Sequence, residues 1–221
     1  NTAVTLPSFA YLPGDRVLSI GGVSTAATSG CEIWQDGTWS HAASLNLPRA
    51  GCAAVGLPNG NVLAIGGYGK YATRSIEIYD PNLNTWSHLA TLPSDHNWAQ
   101  KATVLQDGKV LIVRGENGAT GFVDTDETII FDPATCTFYD STDCPGYIGG
   151  GGLVTMKDGR VLAFAGFHYA SPQTACFVYD YNLDQWTSGF DSLNTADSHF
   201  GYAALPNGQV VKFAGEYATK T

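Results

Sequence analysis

Side chains able to hold a ligand gather in a few stretches of the chain. They are Tyr68, Tyr71 and Arg74; His96, Asn97 and Trp98; Arg114 and Glu116; Phe167, His168 and Tyr169; His199; and Tyr217. Aromatic faces stack on sugar rings or peptide side chains, while His, Asn, Glu and Arg fix orientation. The mixture predicts noncovalent recognition of a glycan or a protein, with no catalytic residue, metal or cofactor. Arg114 ends an apolar run where a small residue would fit, so its guanidinium is expected to reach Glu116 or a ligand rather than stay buried unpaired.

Other chemistry finds less support. No Gly-x-Ser-x-Gly elbow marks a Ser-His-Asp hydrolase, and Asp95-His96 and Asp197-Ser198-His199 read as hydrogen-bonded loop residues. Asp124, Asp126 and Glu127 lack the spacing and glycine of a calcium loop and read as a solvated acidic stretch. The five cysteines contain no CxxC and no His/Cys cluster suited to zinc. A local disulfide between Cys136 and Cys144 is expected, and with it an oxidising, extracellular setting. Cys31 and Cys176 occupy matching buried positions and read as small apolar filler, with Cys52 within reach of Cys31.

Bulk properties narrow the partners. The 221 residues carry a formal charge of −9, with 44% hydrophobic and 14% charged residues. Nucleic acid and anionic membrane both need a basic face, so neither is expected. No apolar run approaches the roughly 20 residues of a membrane span. Asn1 in place of Met suggests a processed chain.

The elements that must carry these residues repeat. LPGDRVLSIGG from Leu12, LPNGNVLAIGG from Leu57, LQDGKVLIVRG from Leu105, MKDGRVLAFAG from Met156 and LPNGQVVKFAG from Leu205 share one design. They lie about 45 to 51 residues apart, a period that signals repeat architecture. Asn-Gly or Asp-Gly between apolar runs predicts a type I′ hairpin with positive φ at both central residues. The Val-Leu-x-Ile run that follows predicts a strand buried on both faces. A half-buried strand comes next, as in Ser75-Ile76-Glu77-Ile78-Tyr79-Asp80, then an Asp-Pro or Asn turn. An aromatic follows the tyrosine or phenylalanine of that strand, as in Tyr79 to Trp86, Phe131 to Phe138 and Tyr179 to Trp186.

Each repeat is thus a four-stranded antiparallel sheet, and such sheets bury both faces by stacking radially. Gly21-Gly22, Gly66-Gly67, the Tyr79-Asp80-Pro81 turn and the spaced Trp86 resemble the kelch family of β-propellers. The expected fold is all-β, a kelch-type β-propeller in one domain, with repeats near 1–47, 48–93, 94–145 and 146–193 and an incomplete one over 194–221. That makes four complete blades and half of a fifth. An unpaired edge is avoided by natural sheets, so a second chain, a cleaved fragment or further sequence is expected to complete the propeller.

Antiparallel connectivity puts the short strand 1–2 and 3–4 turns on one face. The variable strand 2–3 loops and the blade crossings, which carry the candidate residues, fall on the other. His41 and His88, on outer strands, read as structural. The repeats also resemble those of secreted kelch-type galactose and glyoxal oxidases. That resemblance implies a copper site with a Tyr-His pair, a distant second His and a Tyr cross-linked to Cys. This chain has Phe167-His168-Tyr169 and no Tyr-His dipeptide, so the oxidase is the alternative to a recognition propeller.

Overall fold

The computed structural model describes residues 4–69, 74–93, 100–113, 115–117, 123–124, 127–168, 171–188, 193–194, 201–205 and 207–213. Among them there is no helix. Blade 1 comprises β1 (Ser8–Leu12), β2 (Arg16–Ile20), β3 (Cys31–Gln35) and β4 (Thr38–Ala42). Blade 2 comprises β5 (Ala53–Gly56), β6 (Val62–Ile65), β7 (Ser75–Asp80) and β8 (Thr85–Thr91). In blade 3, β9 (Lys101–Val104) and β10 (Val110–Val113) lead through a small ribbon, β11 (Glu116–Asn117) and β12 (Val123–Asp124), to β13 (Thr128–Asp132) and β14 (Thr137–Asp140). Blade 4 holds β15 (Gly152–Thr155), β16 (Val161–His168), β17 (Ser171–Asp180) and β18 (Gln185–Thr187), and a fifth pair follows, β19 (Gly201–Ala204) and β20 (Val210–Phe213). Within each of blades 1 to 4 the four strands pair in sequence order, all antiparallel. The chain forms two compact units, one holding blades 1 and 2 and the other blades 3 and 4 with the fifth pair.

The second strand of each repeat is the best buried. Every residue of β6 and β10 is buried, as the doubly apolar pattern demands. In the first unit, Leu12, Leu18 and Ile20 of blade 1 close on Val62, Ala64, Tyr79 and Trp86 of blade 2. In the second, Leu111, Val113 and Ile130 of blade 3 close on Val161, Ala163 and Tyr179 of blade 4. The spaced aromatics are cross-strand partners within one blade: Tyr79 opposes Trp86 and Tyr179 opposes Trp186, with centroids 5.1 and 5.0 Å apart. Each indole also reaches back to the crossing from the blade before, Trp86 Nε1 donating to the Ala43 carbonyl and Trp186 Nε1 to that of Thr142. That double duty explains the fixed spacing.

The hairpin turns depart from expectation. Only blade 1 has positive φ at two adjacent residues, Gly14 and Asp15. In blades 2, 3, 4 and the fifth pair the glycine alone is left-handed (Gly60, Gly108, Gly159, Gly208), and its N–H donates to the carbonyl three residues back. This is a type I turn closed by a glycine bulge. The preceding Asn or Asp stabilises it: Asn59, Asp107, Asp158 and Asn207 each accept from the backbone N–H two residues on.

Two further expectations need correction. Glu77 is fully buried, not half-buried. Arg49, from the crossing between blades 1 and 2, meets it at 2.6 Å, and the guanidinium also donates to the carbonyls of Gly66 and Ser75. Glu77 accepts in addition from the backbone of Asn46 and Leu47 and from the Asn46 amide.

The Cys136–Cys144 disulfide is not formed, and none of the five cysteines is in a disulfide. Cys136 sits in the left-handed corner of the β13–β14 turn, beyond Asp132. Cys144 donates its N–H to Thr128, at the opposite end of β13. Four strand residues span about 13 Å, against the roughly 7 Å limit between bridged Cα atoms. Cys31 and Cys52 lie in the first unit's core, where burial pushes the Cys31 thiol up to about 11.

Candidate functional site

The short turns and the variable loops separate as connectivity requires, and their chemistry differs. At the turn end of the second unit, a cleft of about 440 Å³ is lined by Gln106, Asp107, Asp158, Arg160, Asp180 and Tyr181 among others. Its charges are spent on one another. Lys109 Nζ binds Asp107 at 2.5 Å and the Tyr181 hydroxyl at 3.2 Å, while that hydroxyl donates to Asp107 at 2.9 Å. Arg160 holds Asp158 through two nitrogens at 2.8 and 2.7 Å. Partial burial would raise Asp107, but the Lys109 and Tyr181 hydrogen bonds outweigh it and hold the carboxyl low. Asp184 plays a similar stapling part, accepting from Ser141, Thr142 and Tyr179, and Asn84 does so in the first unit with Ala43 and Tyr79. Polar groups on this face knit blades together.

At the loop end, Tyr68 follows β6 and is 61% exposed. Its backbone exchanges two hydrogen bonds with Ala50, at 2.8 and 2.9 Å. The ring is therefore presented to solvent from a fixed base. Arg74 closes the same loop, donating to the carbonyls of Leu92 and Pro93, so its guanidinium is engaged in fastening β7 to the end of β8. Glu116 falls in β11. Phe167 and His168 were expected in a loop, but β16 runs on through them: Phe167 opposes Pro172 and His168 opposes Ser171, past a bulge between Phe164 and Gly166. The β16–β17 ladder therefore continues through these residues in blade 4. Tyr71, His96, Asn97, Trp98, Arg114, Tyr169, His199 and Tyr217 lie outside the described residues, as do the side chains of Glu116, Phe167 and His168.

Lys101 escaped the sequence reading. It opens β9, an edge strand of blade 3, at the loop end, opposite Val113. Its counterparts, each opposite the last residue of β2, β6, β16's regular part or β20, are Ser8, Ala53, Gly152 and Gly201. Aligning the first strands by register exposes the one long cation among small residues, a signal that needs the register and not the motif.

Among the described residues no three His, Cys, Asp or Glu side chains gather as ligands. His41, on β4, lies 3.8 Å from Glu32 of β3, and His88 on β8 contacts Ser75, so both histidines occupy outer strands.

The kelch motif model matches residues 48–93, which is blade 2. No curated protein sequence matches the chain. Among solved structures the chain is similar to that of YjhT, with a TM-score of 0.72 at 17% identity, over 91% of this chain and 70% of that one. It is also similar to a fungal alcohol oxidase of the AA5 family in complex with copper, with a TM-score of 0.62 at 16% identity, over 97% of this chain and 59% of that one. It thus spans about three-fifths of the oxidase chain's length. The blade topology and these likenesses show a β-propeller fold, with the kelch motif matched in blade 2.

Proposed function

We propose that this is a non-catalytic recognition propeller that binds a glycan or protein ligand on the variable-loop face, outside the cell. The observation that carries it is Tyr68, an aromatic ring held out to solvent on a backbone pinned to Ala50. Pre-organised aromatics give contact area at low entropic cost. The competing reading is the propeller part of a secreted copper-radical oxidase, favoured by the likeness to the fungal alcohol oxidase. The described residues do not fit a copper site, because His41 and His88 stand on outer strands of separate blades. Copper analysis of native material together with glycan and protein arrays separates the two. Retention on an array by copper-free protein is expected; stoichiometric copper with oxidation of an alcohol or aldehyde overturns the recognition reading.

We also propose that a further blade covers blade 1. Tyr11, Val17, Trp34 and Trp39 form one cross-strand row on a single face. The matching row in blade 2 is Gly56, Val62, Tyr79 and Trp86, whose three large members are buried under blade 1. In blade 1, Tyr11 is 62% and Trp39 40% exposed, and Phe9 adds to the open surface. Exposed aromatic area of this kind marks an interaction surface. Hydroxyl-radical footprinting of the native protein should find Tyr11 and Trp39 protected to the level of Trp86. Labelling at the rate of free solvent would show that nothing covers the face.

A further inference from the structure

We propose that the cleft at the turn end of the second unit is a binding site for a neutral sugar. The inference does not depend on the recognition reading above. It uses other residues, all of them in the turns of blades 3 and 4.

Three turns meet in the cleft. The β9–β10 turn brings Gln106, the β15–β16 turn Gly159 and Arg160, and the β17–β18 turn Tyr181 and Asn182. Gly159 makes room for the Gln106 carboxamide, which an added Cβ would strike. The same junction in the first unit is built differently. There the slots of Gln106, Asp158, Arg160 and Tyr181 hold Pro13, Asn59, Asn61 and Pro81, and the Pro13 ring lies against Gly60. Joining two blades at this place therefore needs no guanidinium, no aromatic ring and no long carboxamide. The second unit carries all three around an opening of about 440 Å³, within the range of small-molecule sites, about 300–1,000 Å³.

The hydrogen-bonding inventory selects the ligand. Lys109 with Asp107 and Arg160 with Asp158 are ion pairs at 2.5 and 2.7 Å, so each cation already has its counter-charge. An anion would meet three carboxylates, Asp107, Asp158 and Asp180, against two cations. A metal ion would have to displace Lys109 or Arg160. What stays open is neutral or acceptor chemistry. Among the described residues the Gln106 and Asn182 carboxamides make no hydrogen bond, and Asp180 accepts through one oxygen only, from the Asn182 N–H. A carboxamide donates and accepts, and a carboxylate oxygen accepts; a sugar hydroxyl, both donor and acceptor, matches that set. Half-buried Tyr181 adds aromatic surface to one wall.

Saturation-transfer NMR on the whole chain tests this with maltose, lactose and cellobiose at millimolar concentration. At least one should receive saturation, and Gln106→Ala and Asn182→Ala should each reduce the transfer about threefold or more, as loss of a ligand hydrogen bond does. Both residues are exposed, so the variants keep the fold. Asn82→Ala, the equivalent change in blade 2, should leave the transfer unchanged. D-glucuronate and D-galacturonate should receive less than about a third of it, because the excess of carboxylates repels them. No transfer to any of the three neutral sugars overturns the inference. Transfer undiminished by Gln106→Ala and by Asn182→Ala also overturns it, since the sugar would then sit elsewhere on the chain, and so does equal transfer to the uronates. None of these failures bears on ligand retention by the variable-loop face.

Discussion

Replacing Arg49 with methionine should cost about 3–5 kcal/mol of folding stability, the range for breaking a buried ion pair from one side. Both partners are essentially inaccessible, so the variant would strand the Glu77 carboxylate in the core. Its remaining donors, Asn46 and Leu47, lie in the crossing that Arg49 itself anchors through the carbonyls of Gly66 and Ser75. Loss of the guanidinium therefore loosens the joint between blade 1 and blade 2 as well as removing a charge. Arg49→Met/Glu77→Leu should cost clearly less than the sum of the two single changes, because it leaves no orphaned charge. Urea unfolding of the four proteins checks this. A loss below about 1 kcal/mol for Arg49→Met would show that the pair is not holding the joint.

Trp86→Ala should cost about 3–5 kcal/mol, as for other buried aromatics cut to alanine. The indole packs on Tyr79 and donates to the Ala43 carbonyl, so the change opens a cavity and leaves an acceptor unmet at the seam between blades. Trp39 occupies the same row of blade 1 but stands 40% exposed. In the 221-residue chain alone, Trp39→Ala should therefore cost under about 1 kcal/mol, as surface changes usually do. Thermal unfolding of both variants tests the contrast. Equal losses would mean that Trp39 is packed as tightly as Trp86 in the lone chain, contrary to its exposure.

The contrast also shows what could be read from the residues. Blade number, strand order and the aromatic pairs were legible because Gly-rich turns punctuate a fixed period and because Tyr-to-Trp spacing is set by one turn. The turn class was not. Asn59-Gly60 serves a glycine bulge as well as a type I′ turn, and only the backbone decides: the Asn59 side chain reaches the Asn61 N–H and leaves the glycine alone in the left-handed region. The cysteine pair misled because eight residues of separation ignored the strand between them. Arg49 was missed because its partner lies 28 residues away on another blade, and no local pattern links a crossing to a strand. Within the site, Tyr68 could be picked as an aromatic in a loop, but its pinned backbone could not. Phe167 and His168 were placed in a loop because nothing in Phe-His-Tyr-Ala-Ser announces that the ladder continues.

Ligand recognition is proposed for the variable-loop face. The most direct measurement is the affinity of the strongest array-retained ligand for Tyr68→Ala and for Leu83→Ala, an exposed apolar residue in the β7–β8 turn of the same blade. Tyr68→Ala should weaken binding about tenfold or more, as loss of an aromatic contact does, while Leu83→Ala should match the unaltered protein. Undiminished binding by Tyr68→Ala with loss in Leu83→Ala would place recognition at the turn end of the blade and contradict the claim.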